Sequence, residues 1–362
     1  MCDSHDALIL CNGAYAARKL NITGSDSRLV LNAQKLVAFY NSDPFFFPDV
    51  DTLNLNGNIG IIGGGNVALD IARVLLEPKL LSKTDVNSLF LEKIKNVESV
   101  SIFVRRSPFD LPCTTRELRE LVTLPSLDQV SIFGIESKLE ELEKYILLQK
   151  SRKLPDRKLK RLLKLLAESE GISKSSFSGE KRVNFHFHHS PVLINETSGM
   201  LDVTFNHPKN GEISYRFSHL VESLGYNPTP LSHEIKNIDV ATGTAVYKDR
   251  KIYMAGWALS GRVPNFKINK SNEMVNEKDF RTQILGAKGV VGDSTDSARR
   301  ATDSLLSDFE SQKISSITKT SDKIIGSDWT SWERIDAEEV RRGKALGKSR
   351  DKISSFSEML SL

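Results

Sequence analysis

The sequence predicts an α/β protein organised on a parallel sheet, and three observations predict it. The first is the stretch from Asn58 to Arg73. An apolar run, Ile59 to Ile62, suits a buried strand; three glycines follow; then Val67, Ala68, Ile71, Ala72, Val74 and Leu75 recur at helical spacing. The second is the alternating segment Val97 to Val104, a strand that ends at Arg105-Arg106-Ser107-Pro108. The third is a pair of later apolar runs, Leu220 to Pro228 and Lys251 to Trp257, each leading into a glycine.

Within the first stretch, Gly63, Gly65 and Ala68 fall on G-x-G-x-x-A, a form of the dinucleotide fingerprint of Rossmann-like folds. Each small residue has its own task. Gly63 permits the sharp turn, Gly65 lets the backbone approach a pyrophosphate, and Ala68 lets the helix pack closely on the strand. Phosphates would sit on the free N–H groups of the helix N-terminus, where the helix dipole favours anions. The bland alternative is a glycine-rich turn; the strand before it and the amphipathic helix after it favour the dinucleotide reading.

At the end of the second strand of such a unit, an acidic residue favours a free ribose 2′-hydroxyl and arginine favours a 2′-phosphate. Arg105 and Arg106 stand there with no carboxylate beside them. Guanidinium groups match phosphate geometry and stay charged, which argues for NADPH over NADH. The strand arrives later than the usual ~20 residues after the glycines, so Glu77 to Asn96 must be an extra helical or loop excursion.

Composition narrows the field. The 362 residues suffice for two domains, and 39% hydrophobic with 27% charged is ordinary for a globular chain. The net charge of +4 is too mild to imply nucleic acid. Cys2, Cys11 and Cys113 form no C-x-x-C, against a disulfide scaffold, a zinc site or a dithiol pair. No apolar run approaches the ~18 residues of a membrane span, and no signal or transit peptide is visible.

Along the chain, Asp6 to Ala14 reads as a short strand close to Met1, one that must borrow its sheet from elsewhere. Asn32 to Tyr40 reads as a helix, and Phe45 to Phe47 as packing. Thr114 to Leu121 starts another helix, with Thr114 a cap and Glu117 three residues on. Glu117 is then either the acid of a capping box or a contact to the nicotinamide half of a cofactor; local sequence favours the cap. Lys138 to Glu170 is helical and charged, with Pro155 a break inside it. It carries the basic run Arg152, Lys153, Arg157, Lys158, Lys160, Arg161 and Lys164. Arg157 and Arg161 share a face at i, i+4, either a solvated helix surface or a docking site for an acidic protein. Gly171 to Gly179 reads as a Ser-rich loop. Val183 to His189 alternates as a strand whose three histidines lack a carboxylate or cysteine partner for metal. Val192–Ile194, Leu201–Phe205 and Ile213–Phe217 read as an antiparallel meander. Gly286 to Ser294 opens a helix running on to Phe309, a second candidate anion or cofactor contact.

Together these pieces resemble the adrenodoxin reductase family, mitochondrial-type NADPH–ferredoxin reductases of the glutathione-reductase-like flavoproteins. The resemblance runs from about Asp6 to the C-terminus. It rests on Gly63 to Asp70, Arg105 to Pro108, Arg116 to Glu120, Gly256-Trp257 with Gly289 to Val291, and the tail Trp332 to Val340 through Gly347-Lys348. It implies that Gly63, Gly64, Gly65, Asn66 and Val67 meet the NADPH pyrophosphate and that Arg105 and Arg106 hold its 2′-phosphate. It also makes Glu117 a cofactor-site residue and Asp70 a candidate catalytic residue. Trp257, Gly289, Val290 and Val291 would line FAD, and Arg157 and Arg161 would dock an acidic ferredoxin of the adrenodoxin type. The implied chemistry is hydride transfer from NADPH to FAD and single electrons to the iron–sulfur partner. Mitochondrial location, in the matrix or at the matrix face of the inner membrane, is implied by the resemblance alone.

The implied architecture is an NADP-binding domain at 15–221 and a partial FAD-binding domain from 1–14 with 222–362. Two departures from the family pattern matter. Its opening strand–G-x-G-x-x-G–helix for FAD has no counterpart here, and about Arg262 to Leu285 is an insertion. The alternative is therefore a catalytically silent NADPH-binding fragment that cannot hold FAD.

Overall fold

The computed structural model describes residues 9–10, 13–14, 16–45, 53, 55–134, 157–169, 181–227, 235–239, 244–247, 250–254 and 328–362. The described strands, in chain order, begin with β1 (Ile9–Leu10), β2 (Ala16–Ala17), β3 (Val30–Asn32), β4 (Asn56–Ile62) and β5 (Asn96–Val104). Next come β6 (Leu127–Phe133), β7 (Lys181–Phe187), β8 (Ser190–Thr197), β9 (Met200–His207), β10 (Gly211–Phe217) and β11 (His219–Glu222). The last are β12 (Tyr226–Asn227), β13 (Ile235–Asp239), β14 (Thr244–Tyr247) and β15 (Arg250–Met254). The helices are α1 (Ala33–Tyr40), α2 (Asn66–Leu76), α3 (Pro78–Leu81), α4 (Ser88–Lys93), α5 (Thr115–Val122), α6 (Arg157–Ser169), α7 (Trp329–Ala345) and α8 (Phe356–Met359). The chain divides into two units, Met1–Ala16 with Tyr226–Thr330 and Ala17–Gly225 with Ser331–Leu362.

In the first unit the described strands form one sheet in the order β1-β15-β14-β13. β1 lies parallel to β15, with Ile9 opposite Tyr253 and Leu10 opposite Met254. The early strand thus borrows its sheet from residues more than 200 positions away, as its isolation in the sequence requires.

The second unit holds a parallel sheet in the order β3-β11-β4-β5-β7-β6. Strand parity sorts its side chains onto two faces. Ile59, Ile61, Val100, Ile102, Val104, Val183, Phe185 and Phe187 pack with Leu69, Leu75, Leu118, Leu121, Leu162 and Leu166 of α2, α5 and α6. On the opposite face Ile62, Phe103 and Leu220 meet Ile194, Leu201, Val203, Phe205 and Phe217. Those partners belong largely to the antiparallel meander β8-β9-β10, which was expected from the sequence. Gly60 points to that side. A Cβ there would lie 2.7 Å from Leu220 Cδ1 and 3.2 Å from the Phe217 ring, so a side chain at this point would require both to shift.

The excursion after α2 is α3 and α4, two short helices that return the chain to β5. The edge strand β6 was not legible in the sequence. Only Leu127 and Val130 of its seven residues are buried, so its alternation is faint. Its entry is fixed by position: Glu77 accepts the Ser126 N–H at 3.2 Å, and the Ser126 hydroxyl donates to Leu76 O at 2.9 Å.

The tail folds back onto α4. The Lys348 ammonium is buried and donates to Val86 O at 2.6 Å and Ser88 Oγ at 2.9 Å. Glu339 accepts the Ile353 N–H at 3.0 Å and pairs with Arg350 at 2.7 Å. A Cβ on Gly343 would lie 2.5 Å from Arg350 Cα. Glu339, Gly343 and Lys348, within the tail read from the sequence, and Arg350 just beyond it therefore form one interlocked turn.

Of the three histidines at the end of β7, His186 and His189 are buried packing groups. His186 stacks between Phe103 (4.5 Å) and Phe133 (4.7 Å). His189 Nδ1 lies 2.7 Å from Phe187 O, and its Nε2 lies 3.3 Å from Tyr215 Oη. Burial lowers the pKa of His186 to about 3 and of His219 to about 4. Both stay neutral when folded and take protons when unfolded below about pH 6.5. Stability is then full above that pH and falls as the pH drops toward 4. Replacing His186 with Phe keeps the stack and removes an unpaired buried nitrogen. Calorimetry should show wild-type Tm falling between pH 7.5 and 5, and a smaller fall for His186→Phe; equal falls would contradict this assignment.

Candidate functional site

The C-terminal ends of β4, β5 and β11 lie at one edge of the parallel sheet, with Ile62 opposite both Phe103 and Glu222. β11 and β5 flank β4 on either side here, and open α/β sheets bind ligands at the carboxyl ends of their strands.

The three glycines after β4 divide their work. Gly63 has φ +120, and a Cβ there would lie 2.2 Å from Ser223 O. Both conformation and space exclude a side chain, because β11 leaves the sheet directly alongside. At Gly64 a Cβ would meet Leu111 Cδ1 at 2.7 Å and Val104 Cγ2 at 2.8 Å. Gly65 is different: its backbone is extended (φ −82, ψ 174) and a Cβ would meet nothing within 4 Å. Its missing side chain leaves open space in front of α2.

Gly65 is the N-cap of α2, and no side chain caps the helix. The first-turn N–H groups and the positive end of the helix dipole therefore face that open space. The helix is held from behind. Ala68, Leu69, Ala72 and Leu75 are completely buried, each large aliphatic stabilising by about 2 kcal/mol. Asn66 and Val67, the first residues of the helix, are half-buried at its mouth.

Arg105 and Arg106 follow β5 directly, on the strand adjacent to β4, and both are exposed. Neither makes an ion pair among the described residues. Their backbone is pinned: His188 N–H donates to Arg106 O and His189 N–H to Val104 O, each at 3.3 Å. His188 reaches this position with φ +61, a left-handed turn at the end of β7. This anchoring was not legible from the histidine pattern, which reads as a continuing strand through His189.

Glu117 lies in the first turn of α5, whose start is tied to the glycine loop. The Thr114 N–H donates to Asn66 Oδ1 at 2.8 Å, and the Thr114 side chain makes no cap bond. The expected capping box is absent, and Glu117 Oε2 is buried with no hydrogen-bond partner. Neighbouring Cys113 is buried, and that burial, reinforced by the Glu117 charge, raises its thiol to about 12. It stays a neutral packing group.

Asp70 lies one turn further into α2. It accepts from Tyr40 Oη at 3.0 Å and pairs with Arg73, which reaches Glu120 at 3.4 Å. Arg157 and Arg161 project from α6 into solvent while Leu162, Leu163 and Leu166 are buried. Trp257, Gly289, Val290 and Val291 lie outside the described residues, as do Arg152, Lys153, Pro155, 171–179 and the 262–285 insertion. Among the described residues no helix is long and apolar enough to cross a membrane.

An uncapped helix start and two exposed arginines thus stand at the ends of adjacent strands. No family model matches the chain. It is 26% identical over 391 residues to the mitochondrial NADPH:adrenodoxin oxidoreductase of Bos taurus, covering 99% of this chain and 74% of that protein. It is 25% identical to the NADPH-ferredoxin reductase FprA of Mycobacterium leprae, covering 99% and 78%. The structure of Mycobacterium tuberculosis FprA in complex with NADPH matches with a TM-score of 0.67 and 25% identity, over 99% of this chain and 79% of that one. The resemblance read in the sequence therefore holds along nearly the whole chain, which is a relative of the adrenodoxin reductases and FprA and shares their α/β fold.

Proposed function

We propose that this chain is an NADPH-dependent reductase that passes electrons through FAD to a ferredoxin-type iron–sulfur protein. One observation carries the reading: an uncapped helix N-terminus behind an open glycine, with two exposed arginines at the end of the adjacent strand. The crook of Gly63 to Val67 would hold the pyrophosphate, and Arg105 and Arg106 the 2′-phosphate. FAD, were it held by Trp257 and Gly289 to Val291, would supply the acceptor for the hydride that NADPH donates. This chain's residues bind and orient the donor. Asp70, with both oxygens engaged, acts through the placement of α2. Residues 15–221 are proposed as the NADP domain and 1–14 with 222–330 as the flavin part; the tail 331–362, read from the sequence with the flavin part, packs in the unit of the NADP domain instead. Trp257 and Gly289 to Val291 are proposed against the flavin.

Arg157 and Arg161 are proposed to dock the acidic partner, since long-range attraction by exposed cations speeds encounter. Mitochondrial placement is proposed from the mitochondrial adrenodoxin reductases, although FprA is bacterial.

Purified protein should carry flavin absorbance and reduce a ferredoxin with NADPH, and Arg157→Glu with Arg161→Glu should slow only the ferredoxin step. NADPH binding without flavin would instead assign the silent binding reading. Replacing both Arg105 and Arg106 with Ala should weaken NADPH far more than NADH, by roughly 1.5–3 kcal/mol per lost charged hydrogen bond; equal loss for both nucleotides would contradict the clamp. Gly65→Ala should leave Tm unchanged, because its Cβ enters open space, yet weaken NADPH at least about tenfold. Unchanged affinity would place the nucleotide elsewhere.

A further inference from the structure

Helix α5 begins Thr114-Thr115-Arg116-Glu117, a sequence suited to a capping box. In that arrangement the Thr side chain takes the Glu N–H, and the Glu carboxylate reaches back to the Thr N–H. Neither bond forms. The Thr114 side chain makes no cap bond, and the Thr114 N–H goes to Asn66 Oδ1 at 2.8 Å. A backbone amide has one hydrogen, so this bond excludes Glu117 from its natural local partner. Glu117 accepts no hydrogen bond among the described residues, and its Oε2 is buried and unpaired.

An unpaired buried carboxylate oxygen is costly and persists only where the surroundings keep it from pairing. Asn66 can do this because its own position is rigid. It is the first residue of α2, whose next turn is fixed by fully buried Ala68 and Leu69. Further along, Arg73 bridges Asp70 of α2 and Glu120 of α5, bracing the two helices against relative movement. The orientation of the Asn66 amide is also determined. An N–H can only meet the oxygen, so the NH2 group points away from Thr114.

We propose that Asn66 is a positioning residue: it takes the cap donor away from Glu117 and so keeps that carboxylate free beside the nucleotide crook. Such a carboxylate accepts hydrogen bonds and repels anions, so the ligand group it awaits is a neutral donor, a hydroxyl or a carboxamide, rather than a phosphate. That ligand half rests on the nucleotide reading above; the exchange of hydrogen bonds does not.

A double-mutant cycle separates the two. With Asn66 replaced by Leu, and independently by Ala, Glu117 is free to close the capping box. Glu117→Ala should then lower Tm in either Asn66 variant, yet leave it unchanged or raise it in the wild-type background. In nucleotide titrations, Glu117→Ala should weaken NADP+ about tenfold in the wild type and leave 2′,5′-ADP, which lacks the nicotinamide half, unaffected. In the Asn66 variants the same substitution should change NADP+ affinity by less than about twofold, the non-additivity expected of coupled residues. Equal effects of Glu117→Ala on Tm and on NADP+ with and without Asn66 would overturn the proposal. If the wild type binds neither nucleotide, the nucleotide reading falls and the Tm comparison alone decides the exchange.

Discussion

The uncapped N–H groups at the start of α2, facing open space at Gly65, are the feature around which the rest of the second unit is arranged. A helix start is ordinarily capped by a serine, threonine, aspartate or asparagine side chain. Here the cap position is Gly65, and nothing covers it. The cost of leaving those donors to solvent or ligand is offset behind them, where α2 buries Leu69, Ile71, Val74, Leu75 and Leu76 against the sheet. Gly63 makes the geometry possible by taking φ +120 against Ser223 O.

Polar groups around this crook are arranged so that each neighbouring element is held by a specific bond. Asn66 holds the start of α5, Arg73 links Asp70 and Glu120, and Tyr40 ties α1 to Asp70. The turn carrying Arg105 and Arg106 is held through the backbone of His188 and His189. The arginine side chains therefore stay exposed while their main chain is anchored. Such preorganisation reduces what ordering of the site would cost when a ligand arrives. The tail is part of the same unit. Lys348 satisfies the Val86 carbonyl from within the protein, and Glu339 caps the backbone at Ile353.

Much of this was legible because the signals were local and physically redundant. The glycine crook announced itself by a strand before it and a helical period after it. In the meander, β9 alternates because one of its faces is buried. What was not legible depended on partners distant in sequence. β6 lies at the sheet edge with little buried surface, so its alternation is faint. Thr114 and Glu117 carry a local capping signal that Asn66, 48 residues earlier, overrides. The role of His186 was not legible either, because its aromatic neighbours Phe103, Phe133 and Tyr215 come from three other strands. The tail's charges gave no hint of where they would bind, because the Lys348 partners Val86 and Ser88 lie about 260 positions earlier in the chain.

The most direct measurement is amide hydrogen exchange of the intact protein with and without 2′,5′-ADP. This ligand carries the 2′-phosphate and a single 5′-phosphate but no nicotinamide. If the uncapped helix start and the two arginines form one phosphate-binding cradle, protection should appear together at Gly64 to Ala68 and around Arg105 and Arg106. Protection confined to other strand ends, or none at saturating ligand, would contradict that account.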